Sequence, residues 1–248
     1  MCGEQGLTII ITMAGLGTRF REAGYREEKH EIVFHGRTLF EWALESLRNF
    51  FRFDFVFITR DLPGIREFIV SKSGKLGLRP EKIQIKAIRE TTRGQAETAL
   101  LAGELLDPSA PVLIHNIDTH ISPDCLRPES IRGNGWIPVF PADGDRWSFV
   151  EADSEGLVSR TSEKVRISDH CSVGLYYFDS FEKFAELAGD LEGSAREWYI
   201  APLYNDFIRR GNKVYLHEIP AEGVMVLGTP EDLGRADERK TRFTAYPA

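Results

Sequence analysis

The sequence predicts one α/β domain in which helices flank a mixed, mostly parallel sheet. Short β-branched runs alternate with helical stretches through the first half of the chain, which is the pattern of parallel strands joined by crossover helices. The 248 residues are enough for one large domain, and no internal repeat or low-complexity linker divides them. Apolar residues make up 42% and charged residues 28% of the chain, a balance typical of globular proteins and not of disordered ones.

The elements of the first half follow from hydrophobic periodicity and capping signals. Thr38 and Glu41 have the spacing of a capping box, which predicts a helix from Thr38 to about Leu47. Apolar or alternating runs predict strands over residues 7–12, 53–59, 83–87 and 111–117. Further helices are predicted over residues 65–70 and 95–106.

After Gly135 the predicted strands become shorter and lie closer together. They cover residues 136–140, 148–151, 172–178 and 213–218, the last as an edge strand. Helices are predicted over residues 181–188 and 198–210, and from Pro230, which suits the first position of a helix. We therefore divide the single domain into a nucleotide-type half, residues 1–134, and a substrate-type half, residues 135–248.

Charge and cysteine content limit the partners. A formal net charge of -7 and a pI of about 5.5 argue against non-specific binding to nucleic acid or to an anionic membrane. Cys2, Cys125 and Cys171 are widely spaced and form no disulfide framework, which fits a reducing compartment. The apolar stretch 7–11 is too short for a signal or membrane helix. We expect a cytoplasmic protein that binds neither nucleic acid nor membrane.

The first candidate for chemistry is the loop 13–20 (MAGLGTRF), directly after the first strand. Gly15 and Gly17 let backbone N–H groups approach an anion, and Arg19 adds a guanidinium that is always charged. The loop is not a P-loop, because no GK[ST] follows, and it lacks the third glycine of the dinucleotide fingerprint. On these residues alone a tight turn is an equal interpretation, and Lys29 reads as a surface lysine.

Two further loops follow predicted strands. Gly94 and Gln95 could offer backbone and amide hydrogen bonds to a flat polar ring, with an ordinary helix entry as the alternative. Asp118 follows a buried strand at its carboxyl end, where α/β sheets bind ligands, and could hold Mg²⁺ or cap a turn. His115 and His120 lack a third ligand at zinc spacing, so we do not expect zinc.

The second half carries polar clusters at residues 143–148, 163–164 and 197–199. Taken alone, residues 143–148 indicate a turn, residues 163–164 a surface ion pair and residues 197–199 the start of a helix. Neither a GxSxG elbow nor a recognisable nucleophile set is found, so covalent catalysis is not expected. Four aromatic residues could stack on a sugar or enclose a quaternary amine, although core packing explains most of them: Trp147, Tyr176, Tyr177 and Trp198.

In chain order, these blocks closely resemble the signature of the sugar-phosphate nucleotidyltransferases. Residues 13–20 and Lys29 are similar to the family's glycine loop, its arginine and its later lysine. Within the family, the chain is most similar to short single-domain members from surface-polysaccharide loci, which include choline-phosphate cytidylyltransferase relatives. The further matching blocks are 36–42 (GRTLFEW), 94–96 (GQA), 116–118 (NID), 147–149 (WSF), 163–164 (EK), 174–178 (GLYYF) and 228–233 (GTPEDL).

The resemblance implies a Rossmann-like fold of the GT-A type, without a β-helix domain. It also implies that an NTP and a phosphorylated acceptor give a nucleotide-activated product and pyrophosphate, by in-line attack on the α-phosphorus. Such chemistry needs positioning and positive charge more than a protein nucleophile. The implied roles are catalysis by Arg19 and Lys29, Mg²⁺ binding by Asp118, nucleotide binding by Ala14, Gly15, Gly17, Gly94 and Gln95, and acceptor binding by Trp147, Glu163, Lys164, Gly174 and Glu197.

Two positions depart from the family's pattern. Glu28 stands where the family usually has a proline before the lysine. Val226 stands where many relatives have a second metal-binding aspartate. Either another acid such as Glu222 supplies the metal, or one carboxylate suffices, or the chain is a catalytically silent nucleotide-binding module.

The sequence leaves the substrates open. A sugar 1-phosphate is the default acceptor, and a non-sugar phosphate or phosphonate such as phosphocholine is the alternative. A pyrimidine triphosphate is favoured, with no ranking of CTP, UTP and dTTP. A GT-A glycosyltransferase is a further alternative, because Asp143 and Asp145 have metal-binding spacing. Phe50 and Phe51, if exposed, suggest a homodimer.

Overall fold

The apolar run after Gly6 forms the first strand, in the interior of a ten-stranded sheet. The computed structural model describes residues 6–193 and 197–238. Cys2 lies outside these residues. The strands of the first half are β1 (Thr8–Met13), β2 (Val33–Phe34), β3 (Arg37–Thr38), β4 (Asp54–Arg60), β5 (Ile83–Ile88), β6 (Val112–Asn116) and β7 (Thr119–Ile121).

The second half contributes most of the remaining sheet. Its strands are β8 (Gly135–Pro141), β9 (Ser148–Ala152), β10 (Val158–Glu163), β11 (His170–Ser172), β12 (Leu175–Phe178), β13 (Val214–Glu218) and β14 (Val224–Val226). The helices are α1 (Thr18–Glu22), α2 (Leu39–Glu45), α3 (Ile65–Lys75), α4 (Gln95–Leu100), α5 (Phe181–Gly189), α6 (Leu203–Arg209) and α7 (Pro230–Glu238).

The sheet confirms the predicted mixed α/β class. Strands β5, β4, β1 and β6 lie side by side and run parallel. Strand β12 pairs antiparallel with β6 and with β8, and so joins the parallel part to the strands of the second half. Strand β13 runs parallel to β8, while β9, β10 and β11 pair antiparallel. Strands β7 and β14 form a separate antiparallel ladder.

Alternate residues of β1 face two different cores. Ile9 and Ile11 contact a cluster that includes Phe40 of α2, whereas Ile10 contacts a cluster that includes Ala99 of α4. Both faces of the central strands are therefore covered, which explains why their sequences are continuously apolar. No helix among the described residues is long and apolar enough to cross a membrane.

Capping chemistry places α2 where the sequence predicts it. The Thr38 hydroxyl accepts the backbone N–H of Glu41, and the Glu41 carboxylate accepts the backbone N–H of Thr38 at 2.8 Å. This reciprocal pair is the predicted capping box, and it satisfies two donors at the helix start. The predicted helix at 65–70 is also confirmed and extends further, to Lys75.

Two predicted elements are wrong in their extent. The helix expected over 198–210 begins only at Leu203, because both backbone groups of Trp198 bond to another loop, at Arg93 and Ala96. The strand expected over 172–178 is interrupted between β11 and β12. Strand β10 was not predicted, because its sequence VSRTSE has little apolar alternation.

The aromatic pair that suggested a homodimer is not exposed. Phe50 is fully buried, and Phe51 is partly buried against the core, where its ring lies 5.8 Å from that of Phe55. The expected exposure of the two rings was wrong, because both pack against the core at the 3₁₀ turn Arg48–Phe50. The observation offered for a dimer is thereby removed.

Candidate active site

A cleft of about 630 Å³ opens at the carboxyl ends of β1 and β6. A smaller cleft of about 360 Å³ adjoins it, and Gly15, Arg19 and Asp118 line both. The predicted residues that line the larger cleft are Ala14, Gly15, Arg19, Gly94, Gln95, Asp118, Trp147, Glu163, Lys164, Gly174 and Glu197. Gly17 and Lys29 line the smaller cleft. The fold thus brings all the predicted site residues to two connected cavities.

The glycine loop lies directly against the lysine loop. Gly17 has a φ of 63° and precedes α1, a backbone conformation that L side chains rarely adopt. A Cβ atom on Gly17 would lie 3.3 Å from the Cβ of Lys29, so a side chain there would push the two loops apart. Among the described residues, no hydrogen bond or ion pair involves the Arg19 side chain. Its guanidinium remains available to an anion at the cleft.

Lys29 and Asp118 form an ion pair at the junction of the two clefts. The Lys29 Nζ atom lies 3.2 Å from Asp118 Oδ2, and the side chains are 18% and 36% exposed, respectively. Asp118 follows β6, and its carbonyl oxygen accepts the backbone N–H of Leu227 at 2.7 Å. A cation and a carboxylate therefore stand side by side at the junction of the two clefts.

Val226, at the position of the usual second aspartate, lies beside Asp118. It pairs with Thr119 at one end of the β7–β14 ladder. Glu222 precedes the opposite end of that ladder, where Val224 pairs with Ile121, and it lines neither cleft. The suggestion that Glu222 replaces the missing aspartate is therefore wrong.

Asp232 is a second carboxylate near Asp118, since both lie within 4 Å of a Cβ placed on Gly228, but it already accepts hydrogen bonds from other side chains. Its oxygens accept hydrogen bonds from both terminal nitrogens of Arg146, at 2.5 and 3.1 Å, and from the Thr229 hydroxyl. Its side chain is 2% exposed. No cluster of three metal-binding side chains occurs in residues 6–193 and 197–238. Asp118 alone suits Mg²⁺, which often binds through one or two carboxylates together with substrate phosphates and water.

The loop before α4 closes against the segment that begins at Glu197. Gly94 has a φ of 154°, and a Cβ atom there would lie 2.6 Å from the carbonyl oxygen of Trp198. The Ala96 N–H donates to that carbonyl and the Trp198 N–H donates to Arg93, each at 3.0 Å. The Gln95 amide nitrogen is buried and has no partner among the described residues. A ligand that accepts a hydrogen bond there would satisfy it.

A polar cluster forms the opposite wall of the larger cleft. The Ser148 hydroxyl donates to Glu163, and burial raises the pKa of that carboxyl group. Lys164 has a φ of 57° and donates through its ammonium group to the Tyr199 hydroxyl. This hydrogen bond raises the pKa of Lys164, and the Tyr199 hydroxyl donates in turn to Glu197. Three of the predicted acceptor residues therefore lie in two hydrogen-bonded groups, Glu163 with Ser148, and Lys164 and Glu197 with Tyr199, which the sequence did not single out for the site.

Trp147 is the predicted aromatic residue that is most available at the cleft. Its ring contacts Phe140 edge-on at 5.3 Å, and its indole N–H donates to the carbonyl oxygen of Asp143 at 2.9 Å. Tyr176, Tyr177 and Trp198 are buried, as the core interpretation predicts. Asp143 and Asp145, the pair that suggested a glycosyltransferase, do not line the larger cleft.

Arg60 and Asn116 are among the residues that line the clefts and were not proposed as site residues. Arg60, the last residue of β4, lines the smaller cleft and forms an ion pair with Glu28 at 2.9 Å. Asn116, the last residue of β6, lines both clefts beside Gly174. Both stand at the carboxyl ends of parallel strands, and that position was the signal available in the sequence.

Comparison with known proteins identifies the family. No family model and no curated protein match the chain. The solved nucleoside-diphosphate-sugar pyrophosphorylase of Vibrio cholerae RC9 is 34% identical, with a TM-score of 0.83, over 92% of this chain and 98% of that one. A structure assigned as a glucose-1-phosphate thymidylyltransferase from Bacillus anthracis shares the fold, with 18% identity and a TM-score of 0.75 over 98% of each chain.

The inositol-1-phosphate CTP transferase of T. maritima also shares the fold, with 14% identity and a TM-score of 0.77 over the full length of both chains. The match to the Vibrio protein extends over nearly the whole of both chains. By this identity and coverage, the chain belongs to the sugar-phosphate nucleotidyltransferase family.

Proposed function

We propose that this nucleotidyltransferase joins an NTP to a sugar 1-phosphate, releases pyrophosphate, and supplies nucleotide-activated sugars for polysaccharide synthesis in the cytoplasm. The carrying observation is the Lys29–Asp118 pair, 3.2 Å apart at the junction of the two clefts. The glycine loop and Arg19 lie on one side of this pair. Lys164 lies on the wall of the larger cleft. This arrangement suits two phosphorylated substrates that meet at a shared centre of charge.

On the donor side, residues 1–134 would bind the triphosphate. Backbone N–H groups at Gly15 and Gly17, with the guanidinium of Arg19, would hold the β- and γ-phosphates. Lys29 would offset the charge that develops at the α-phosphate. The buried amide of Gln95 would bond to the base, and one amide in a short loop suits a pyrimidine.

Asp118 is the residue that would hold Mg²⁺, and Val226 beside it supplies no second carboxylate. When bound, Mg²⁺ would neutralise charge on the phosphate oxygens and orient them. Lys29 shares this carboxylate, so its ammonium group would be free to turn toward the phosphates once the carboxylate has a second cation. The remaining positive charge comes from side chains of the chain itself.

On the acceptor side, residues 135–248 would bind the phosphorylated substrate. Lys164 would hold its phosphate, and a phosphate oxygen of the acceptor would attack the α-phosphorus in line. A new P–O bond forms as the bond to the bridging oxygen of the leaving pyrophosphate breaks, so no protein nucleophile is required. Trp147, Glu163 and Glu197 would shape the rest of the pocket, with Gly174 beside Asn116.

The lining of the acceptor wall favours a hydroxylated acceptor over a quaternary amine. Glu163, Ser148 and the Tyr176 hydroxyl form a hydrogen-bonding surface, with 3.4 Å between the Tyr176 and Ser148 oxygens. Three aromatic residues line the cleft, Trp147, Tyr176 and Tyr199, but Tyr176 is buried and both tyrosines present hydroxyl groups that form hydrogen bonds, whereas an aromatic cage would need several exposed ring faces. Phosphocholine or a phosphonate remains the alternative acceptor.

The test is pyrophosphate release with Mg²⁺ across pairs of ATP, GTP, CTP, UTP and dTTP with sugar 1-phosphates and phosphocholine. We expect one pyrimidine triphosphate with one sugar 1-phosphate to give turnover. Lys29→Ala should lower kcat by about 100-fold or more, since such charge-stabilising donors contribute about 3 kcal/mol. Lys75→Ala, at an exposed lysine of α3, serves as the matched control.

Absence of pyrophosphate with every pair, despite tight NTP binding, would favour the silent nucleotide-binding module. Turnover of a nucleotide-linked sugar without pyrophosphate release would favour the glycosyltransferase. Equal kcat in Lys29→Ala and wild type would contradict the role assigned to the lysine.

A further inference from the structure

The residue before Lys29 joins two arginines from different elements. One carboxylate oxygen of Glu28 accepts from Arg21 of α1 at 2.7 Å, and the other accepts from Arg60 at 2.9 Å. Arg60 is the last residue of β4, so it is held by the central sheet. The carboxylate therefore ties the lysine loop to the helix after the glycine loop and to the sheet.

The backbone of Glu28 has a conformation that proline would also adopt. Its φ is -65° and its ψ is 146°. Its carbonyl oxygen accepts the N–H of Glu31 at 2.8 Å, and this bond begins the 3₁₀ turn Lys29–Glu31. Within the described residues, its own N–H donates no hydrogen bond. A proline at this position would lose no backbone bond and would fix φ near its observed value.

The position of Lys29 depends on where this turn is held. The Cβ of Lys29 lies against Gly17, and its Nζ reaches Asp118 at 3.2 Å. A lysine side chain has four rotatable bonds, so the ammonium group is placed only as well as the backbone beneath it. In this chain, the ion pairs of Glu28 hold the backbone that precedes Lys29 in place.

We infer that Glu28 is a positioning residue for Lys29, and that its pairs with Arg21 and Arg60 do in this chain what a proline does in the family's pattern. The inference rests on the proposed role of Lys29 in nucleotidyl transfer. It gives a function to Glu28, the residue that stands where the family usually has a proline. It also explains why an arginine stands at the end of β4, inside a cleft for phosphates.

Stability alone does not account for this cluster. Glu28 and Arg60 are 26% and 21% exposed, and ion pairs at partly exposed sites contribute little to folding. A misplacement of a catalytic group by about 1 Å, however, can lower a rate by about 100-fold. Removal of the carboxylate should therefore affect kcat much more than the melting temperature.

The experiment compares Glu28→Ala, Glu28→Pro and Glu27→Ala in the full chain, by pyrophosphate release and thermal unfolding. Glu27 is the matched control, because its carboxylate contacts only the Arg26 backbone N–H among the described residues. Glu28→Ala should lower kcat by about tenfold to 100-fold, with KM for the triphosphate within about twofold of wild type. Glu28→Pro should recover most of the rate, and Glu27→Ala should match wild type.

A double-mutant cycle with Lys29→Ala tests whether the glutamate acts through the lysine. If it does, Glu28→Ala should cause no further loss in the Lys29→Ala background. Equal kcat in Glu28→Ala and wild type would overturn the inference. So would a fall in kcat caused by Glu28→Ala that is as large in the Lys29→Ala background as in wild type. Turnover by the wild-type protein would uphold the proposed function in either case. If Glu28→Ala does not fold, Glu28→Gln and Arg60→Gln take its place, with the same expected fall in kcat.

Discussion

The protein should lose stability in mild acid, because two imidazoles are buried beneath the active site. His115 and His120 are both 0% exposed, and burial lowers the pKa of each from 6.5 to about 4. At pH 5 both are therefore neutral in the folded state, whereas in the unfolded chain they bind protons. The unfolded state gains protons as pH falls from about 6.5 to about 4, so the free energy of unfolding falls over that window.

The size of the effect follows from the two pKa values. Each pKa unit corresponds to about 1.4 kcal/mol, so each histidine should cost about 2 kcal/mol between pH 7.5 and pH 5. Together they should remove about 4 kcal/mol, a large share of the roughly 5–15 kcal/mol that stabilises most domains. Glu163 acts in the opposite sense, because burial raises its pKa and its folded form therefore binds the proton more readily.

Urea unfolding of wild type and His115→Asn at pH 7.5 and pH 5 measures this difference. The variant will be less stable at both values, but the decrease between them should shrink by about 2 kcal/mol, since one of the two buried imidazoles is gone. The reasoning fails if the variant keeps the wild-type decrease. It also fails if the wild type is equally stable at both pH values.

Three substitutions test other contacts by urea unfolding at pH 7.5. Gly94→Ala should destabilise the fold by about 2–4 kcal/mol, because its Cβ would lie 2.6 Å from the Trp198 carbonyl oxygen at a positive φ; an unchanged midpoint would contradict this close approach. Arg146→Ala should cost about 3 kcal/mol by leaving the buried Asp232 carboxylate unpaired, and adding Asp232→Asn should recover part of that loss. Gly74→Ala should stabilise α3 by up to about 1 kcal/mol, because nothing lies within 4 Å of the new methyl group; destabilisation would contradict the open space.

The sequence predicted those elements whose signals lie within the element itself. The capping box of Thr38 and Glu41 and the apolar run of β1 need no distant partner to be recognised. The predicted helix start at Trp198 was wrong because the backbone of Trp198 bonds to Arg93 and Ala96, about a hundred residues earlier in the chain. Strand β10 forms beside β9 although its own pattern is polar.

The candidate site, too, could be predicted where the signal is local and could not be predicted where it depends on distant contacts. Its three loops in the first half of the chain could be predicted because each follows a strand, and the carboxyl ends of parallel strands meet at one edge of the sheet. Pairs such as Arg146 with Asp232, or Glu28 with Arg60, join residues on separate elements. No periodicity or local motif encodes such a contact, so only the folded arrangement reveals it.

At Lys164, the left-handed backbone favours a glycine, whereas the candidate site requires a lysine side chain. A φ of 57° costs a lysine on the order of 1 kcal/mol that a glycine would not incur. Lys164→Gly would therefore relax the backbone while removing the ammonium group beside Tyr199. Under selection for thermal tolerance alone, this position would drift toward glycine. If a stability screen recovers Lys164→Gly and this variant has lost turnover, the strained backbone is kept because the lysine is needed for the proposed binding of the acceptor.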